Sequence, residues 1–160
     1  MITNGNAWIK AAEAELKAFE ETCVKEVRVA TEVLLEALMA RTPVWSGESV
    51  RNYVVGFNTL PSGSSKGNIG PKPPVRPTSG TPLGSEDNRD ANESAARSDM
   101  HAALAGMKKL GTIHVTTFID PAKWDLLDNG SAPTKATSRS PGGVSMLAVQ
   151  TTRNKMRNFK

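Results

Sequence analysis

The chain has 160 residues, a net charge of +4, 38% hydrophobic and 22% charged residues, and only 5% aromatic residues. That length predicts one domain, with a core resting on Leu, Val, Ile, Met and Ala. A membrane span is excluded because no apolar run approaches the ~20 residues required. The lone Cys23 excludes an internal disulfide or a multi-cysteine zinc site.

Met1-Ile2-Thr3-Asn4-Gly5 has no basic patch leading into an apolar stretch, so no secretory leader is expected and a reducing, cytosolic origin fits best. Residues 6–41 then predict one long helix. Ile9, Ala12, Leu16, Phe19, Cys23, Val27, Ala30, Leu34 and Leu38 recur at steps of three and four, which sets them on one face. Asn4 or Asn6 can cap the start, and Pro43 disfavours helix at Thr42. At ~1.5 Å per residue such a helix is roughly 50 Å long, so part of it should meet something outside its own domain. Over 10–26 many Lys and Glu surround a narrow apolar stripe, a half that is either exposed or docked along one seam. From Val27 to Met39 the apolar share widens with Val29, Val33 and Leu35, as in a helix buried on two sides.

Val44-Trp45-Ser46-Gly47 reads as a turn, and 49–58, β-rich with a period near two, as a strand. Trp45 either caps the core or sits in a subunit contact, where Trp is over-represented. Residues 61–85 hold six Pro, five Gly and five Ser, too few aliphatics for a packed element. They read as a protruding arm over 59–87 that orders against a neighbouring subunit, or else as a disordered loop. A second helix is predicted over 88–109, with Ala95, Met100, Ala103, Leu104 and Met107 on its apolar face and Lys108, Lys109 and Gly111 at its end. Residues 112–119 follow as a strand. Residues 121–129 form a short helix or strand ending in Asn129-Gly130, 131–142 a loop, and 144–149 a last strand.

Charge is unevenly spread, with a net −2 over 1–42 and +6 over 43–160. The tail of 151–160 holds Arg153, Lys155, Arg157 and Lys160 with no acid. It can begin helical and lie near DNA phosphates or an acidic partner, or it is simply a solvated tail. The element order predicts an α+β fold: a long N-terminal helix and a second helix packed on a small, mostly antiparallel sheet, with a long Pro/Gly/Ser-rich arm. All of it reads as one domain over 1–160, with 88–150 as helix plus strands.

Candidate catalytic groups are few. His101 and His114 lack carboxylates at metal-site spacing, and Cys23 on the apolar stripe suits a small buried hydrophobe. Residues 63–70 are glycine-rich and contain Lys66, but the prolines that follow forbid the helix a phosphate-binding loop needs. Gly130-Ser131-Ala132-Pro133 lacks the second glycine of a nucleophile elbow. No metal, cofactor or catalytic residue is expected.

Two motifs carry a family resemblance. Arg41-Thr42-Pro43-Val44-Trp45-Ser46-Gly47-Glu48-Ser49-Val50-Arg51-Asn52 resembles the "TPV-x-TG-x-LR-NS" signature of phage tail-completion or neck proteins, relatives of the lambda minor tail protein Z. Leu126-Leu127-Asp128-Asn129-Gly130-Ser131-Ala132-Pro133 resembles the family's "YA-x-x-LE-x-G-x-S-x-x-AP-x-G" segment, with Ser140-Pro141-Gly142-Gly143-Val144 supplying the later Pro-Gly. The order of elements agrees over most of 25–150. Ser46 stands for the usual Thr, Asp128 for Glu, and Lys123-Trp124 for Tyr-Ala; the change of acid points to a different contact at that loop.

The resemblance implies a structural virion protein without enzyme activity, made in the host cytoplasm. It implies a ring at the head–tail junction, a hexamer with a dodecamer as alternative, between the head connector or adaptor and the tail terminator or tube proteins. Trp45, Ser46, Gly47, Arg51, Asn129, Gly130, Ser131 and Pro133 are then the subunit-interface candidates, and the four tail cations candidates for DNA in the lumen or for acidic partners. Drawn from charge alone, the rival is a sequence-independent nucleic-acid-binding protein, against which stands the shortage of aromatics for stacking. An enzyme of unknown type is disfavoured by the missing catalytic constellation.

Overall fold

The computed structural model describes residues 5–42, 48–67, 69–70, 89–119 and 143–159. They form an α+β arrangement, 67% helix and 9% strand. In chain order come α1 (Gly5–Arg41), α2 (Glu48–Arg51), β1 (Tyr53–Phe57), α3 (Arg89–Ala105), β2 (Ile113–Thr117) and α4 (Val144–Arg157). The two strands pair antiparallel, with Tyr53 opposite Thr117, Val55 opposite Val115 and Phe57 opposite Ile113. Two strands alone are marginal in water and need a packed face. Here α3 lies on β1, while α1 packs along α4 and touches α3 and β2.

The core gathers Leu35, Leu38 and Met39 of α1, Val50 of α2, Tyr53 and Val55 of β1, Ala96, Met100 and Leu104 of α3, and Val144 and Ala148 of α4. Helix α1 runs for 37 residues, about 55 Å at ~1.5 Å per residue. It is the long helix expected, exposed over 6–22 and covered from Val27 to Met39 as expected, but the core does not follow the stripe. Its buried residues are Val24, Thr31, Leu35, Ala37, Leu38 and Met39. Of the predicted stripe only Leu38 is among them; Ile9, Ala12, Leu16 and Phe19 are exposed, and Cys23, Val27, Ala30 and Leu34 half-buried. At about 100° per residue, Val24, Thr31 and Leu35 lie roughly a quarter-turn from the centre of that stripe, and Leu38 at its edge joins the two. The core takes an adjacent, less uniformly apolar face, and the stripe is bare from Ile9 to Phe19 and half-covered from Cys23 to Leu34.

Thr42 ends α1. Its amide donates to the Leu38 carbonyl at 3.0 Å and its hydroxyl to the same oxygen at 2.8 Å. The predicted strand over 49–58 is shorter and preceded by helix: 48–51 form the single turn α2. The Asn52 side chain explains this, since its Nδ2 donates to the Glu48 carbonyl at 2.7 Å and closes the turn. At the far end of β1, Asn58 adopts a positive φ of 59°. There its amide donates to the Thr112 carbonyl at 2.8 Å and its Oδ1 accepts from the Thr112 amide at 3.0 Å, closing the ladder.

Residues 59–67 and 69–70 carry no regular element, yet they lie against the chain's own body. The Asn52 and Asn92 side chains bond the backbone of Lys66 and Ile69. Gly56 permits the fold-back, because a methyl there would stand 2.5 Å from the Thr59 carbonyl oxygen and 2.7 Å from the Pro61 ring. The start of the predicted arm therefore does not protrude. The rest of it, 71–87, lies outside the described residues, as do the segments 121–129 and 131–142.

The strand expected at 144–149 is the first half of α4. A short apolar run does not by itself separate strand from buried helix. Helical spacing prevails because Val144 and Ala148, one turn apart, are both fully buried. The predicted basic tail continues the same helix through Arg157.

Candidate interaction surfaces

The described residues of the first motif form internal joints. Arg41 Nη2 donates to Thr151 Oγ1 of α4 at 2.9 Å. The Thr42 hydroxyl meets the Tyr53 hydroxyl at 2.6 Å, tying the end of α1 to β1. Arg51 Nη1 lies 2.6 Å from Asp99 Oδ2 on α3, and Lys66 Nζ reaches the same oxygen at 2.6 Å. Lys66, then Arg51, hydrogen-bond the Asp99 carboxylate and hold it below the usual carboxylate range. Arg51, an interface candidate by sequence, is thus placed among the chain's own ion pairs. Trp45, Ser46, Gly47, Asn129, Gly130, Ser131, Pro133 and Lys160 lie outside the described residues.

A second joint binds α1 to α3. Arg97 grips Glu36 with two bonds, Nε to Oε1 at 2.5 Å and Nη2 to Oε2 at 2.9 Å, and touches Glu93 at 3.0 Å. The fork geometry suits a carboxylate, and Glu36 above all raises the Arg97 pKa further. Arg28 completes the joint by donating to the Met107 carbonyl beyond α3.

Among the described residues two surfaces stand open. Every residue over 6–22 of α1 is exposed. Trp8 is 73%, Leu16 61% and Phe19 65% exposed, and with Ile9 they form a seam of large apolar side chains. The second surface is the outer side of α4, where Met146, Val149, Arg153 and Arg157 are exposed opposite the buried Val144 and Ala148. Lys155 is exposed near its end. Spacing alone suggested the α1 seam, whereas the α4 surface was hidden by reading 144–149 as a strand.

For reaction chemistry the described residues offer little. No group of three His, Cys, Asp or Glu able to hold a metal ion occurs among them. His101 is exposed, 3.6 Å from Glu32, and Cys23 is a free thiol on the half-covered part of α1. A cleft of about 170 Å³ between Leu38, Tyr53, Val115, Thr116, Thr117 and Ser145 contains no charged side chain and is smaller than a usual ligand site. No helix among the described residues is long and apolar enough to cross a membrane. No protein-family model, curated protein or solved structure matches the chain.

Proposed function

We propose that the chain is a structural, non-enzymatic virion protein that forms a ring at the head–tail junction of a long-tailed phage. Its neighbours there are the head connector or adaptor above and the tail terminator or tube proteins below. The two motifs that resemble neck and tail-completion proteins suggest this place. The observation that carries the reading is the bare first half of α1. A helix that leaves Trp8, Leu16 and Phe19 in water is suited to be completed by neighbouring molecules. A six-fold ring is favoured and a twelve-fold ring is the alternative.

Native mass spectrometry of the full chain, across concentration and with tail proteins added, tests the proposal. A discrete six-fold or twelve-fold particle, alone or with those proteins, supports it. A monomer that ignores them overturns it.

A second reading, a sequence-independent nucleic-acid-binding protein, draws on α4, whose Arg153, Lys155 and Arg157 are exposed with no acid in the helix. A salt-dependent shift of DNA by the isolated monomer favours it. In the ring reading the same cations are available to DNA in the lumen or to an acidic surface of a partner.

A further inference from the structure

The seam on α1 has edges of one sign. On an ideal helix Ile9, Ala12, Leu16, Phe19 and Cys23 fall within an arc of about 80°. Glu13 and Glu20 flank this arc on one side, and Glu15 and Glu26 on the other. Lys10, Lys17 and Lys25 fall on the opposite face. All four glutamates are exposed, and none is ion-paired among the described residues. A partner that fits this surface presents an apolar ridge carrying positive charge.

The chain holds such a ridge. On the outer face of α4, Met146, Val149, Arg153 and Arg157 are spaced by three and four residues, and Val144–Arg157 contains no acid. Met146 is 59% exposed, and neither Arg153 nor Arg157 is ion-paired among the described residues. At ~1.5 Å per residue the ridge is about 17 Å long and the seam from Ile9 to Cys23 about 21 Å, so one spans the other. Two seams facing each other would instead set glutamate against glutamate, a like-charge arrangement that opposes docking.

We infer that the acid-edged seam of α1 is the seat for the outer face of α4 from a second copy of this chain. Seat and ridge are different surfaces of one molecule, so the contact is head-to-tail and leaves one of each free to continue. Such a contact produces a closed ring or an open filament according to its rotation. Within one chain α4 packs on α1 through its Val144 and Ala148 side, so its outer face stays available for the neighbour. The contact deepens the proposed function, and rests on it for closure into a ring.

Two charge reversals of the full chain, Glu15→Lys/Glu20→Lys and Arg153→Glu/Arg157→Glu, test the contact by sedimentation velocity. All four side chains are exposed, and helix content by circular dichroism checks that each variant is folded. The wild type should self-associate, each reversal alone should weaken association about tenfold or more, and an equimolar mixture of the two should restore it. A wild type that stays monomeric, or an Arg153→Glu/Arg157→Glu chain that associates as the wild type does, overturns the contact. An assembly indifferent to both reversals overturns this contact while leaving a ring in place. Failure to engage tail proteins counts against the head–tail reading and not against the contact.

Discussion

The side chain of Asn52 holds the backbone of Lys66 as a neighbouring strand would. Its Oδ1 accepts from the Lys66 amide at 2.6 Å, and its Nδ2 donates to the Lys66 carbonyl at 2.8 Å. Asn92 repeats the arrangement on Ile69, at 2.9 Å and 3.0 Å. Both asparagines are fully buried. A Pro/Gly/Ser-rich segment with few apolar side chains to pack is thereby docked through its main chain.

Replacing either asparagine by alanine removes both hydrogen bonds that hold the partly buried backbone of Lys66 or Ile69. Asn92→Ala should cost about 1–3 kcal/mol in urea unfolding. Asn52→Ala should cost at least as much, because it also removes the bond to the carbonyl of Glu48, the first residue of α2. Hydrogen exchange provides the sharper readout: the Lys66 amide should lose protection in the first variant and the Ile69 amide in the second, here ordered as Asn52 and Asn92. An unchanged exchange pattern would show that the segment docks by other means.

Asp99 connects this segment to α3. Lys66 and Arg51 lower its pKa in the folded protein, so the pairing adds stability above the unfolded-state value of about 3.9. That contribution is lost as pH falls through the lower folded value. Asp99→Asn should therefore be less stable than the wild type at neutral pH, and the gap should begin to close below about pH 4 and vanish only once pH has passed the lower folded value. The difference should also shrink in high salt, because the Asp99 side chain is 40% exposed. Thermal melts from pH 3 to 7 at two ionic strengths test this, and a gap that does not narrow toward the acid end would contradict it.

How much of this was legible in the sequence follows from the range over which each signal acts. Periodicity over many turns and Pro43 located α1, and periodicity also located α3, which stops at Ala105, short of the Lys108, Lys109 and Gly111 cluster read as its end. The exposed first half of α1 and its buried second half were legible, but the offset of the buried face was not, because that face includes Thr31 and lies beside Arg28 while the stripe from Ile9 to Leu34 is the more uniformly apolar. Residues 144–149 span less than two turns, too short for either period to declare itself. Arg51 and Asp99 are 48 positions apart, and the Asn52 and Asn92 amides serve backbone that lies 14 and 23 positions away. Such partnerships leave no local pattern to read.

The quarter-turn between stripe and core on α1 is itself testable in the monomer. Leu35 is fully buried, and Leu35→Ala should cost about 2–5 kcal/mol through lost burial and the cavity left behind. Leu16→Ala, at 61% exposure, should change monomer stability by no more than about 0.5 kcal/mol. Guanidinium unfolding at a concentration where both chains are monomeric makes the comparison. Equal losses at the two positions would place Leu16 in a core that the structure does not contain.

Thr42 and Tyr53 form the joint between α1 and the sheet, and their hydroxyls can be separated energetically. The Thr42 hydroxyl donates to the Leu38 carbonyl, which makes the Tyr53 hydroxyl the donor between the pair. Tyr53→Phe then leaves a buried acceptor without its proton and should cost about 1 kcal/mol or somewhat more. Thr42→Val also gives up the bond that ends α1 and should cost more than Tyr53→Phe. In the double variant the shared bond is lost only once, so the two costs should sum to more than the measured total, by about 0.5–1.5 kcal/mol. Denaturant midpoints at constant slope report the coupling. Strict additivity would mean that the 2.6 Å approach contributes no net stability and that packing alone seats Tyr53 against the end of α1.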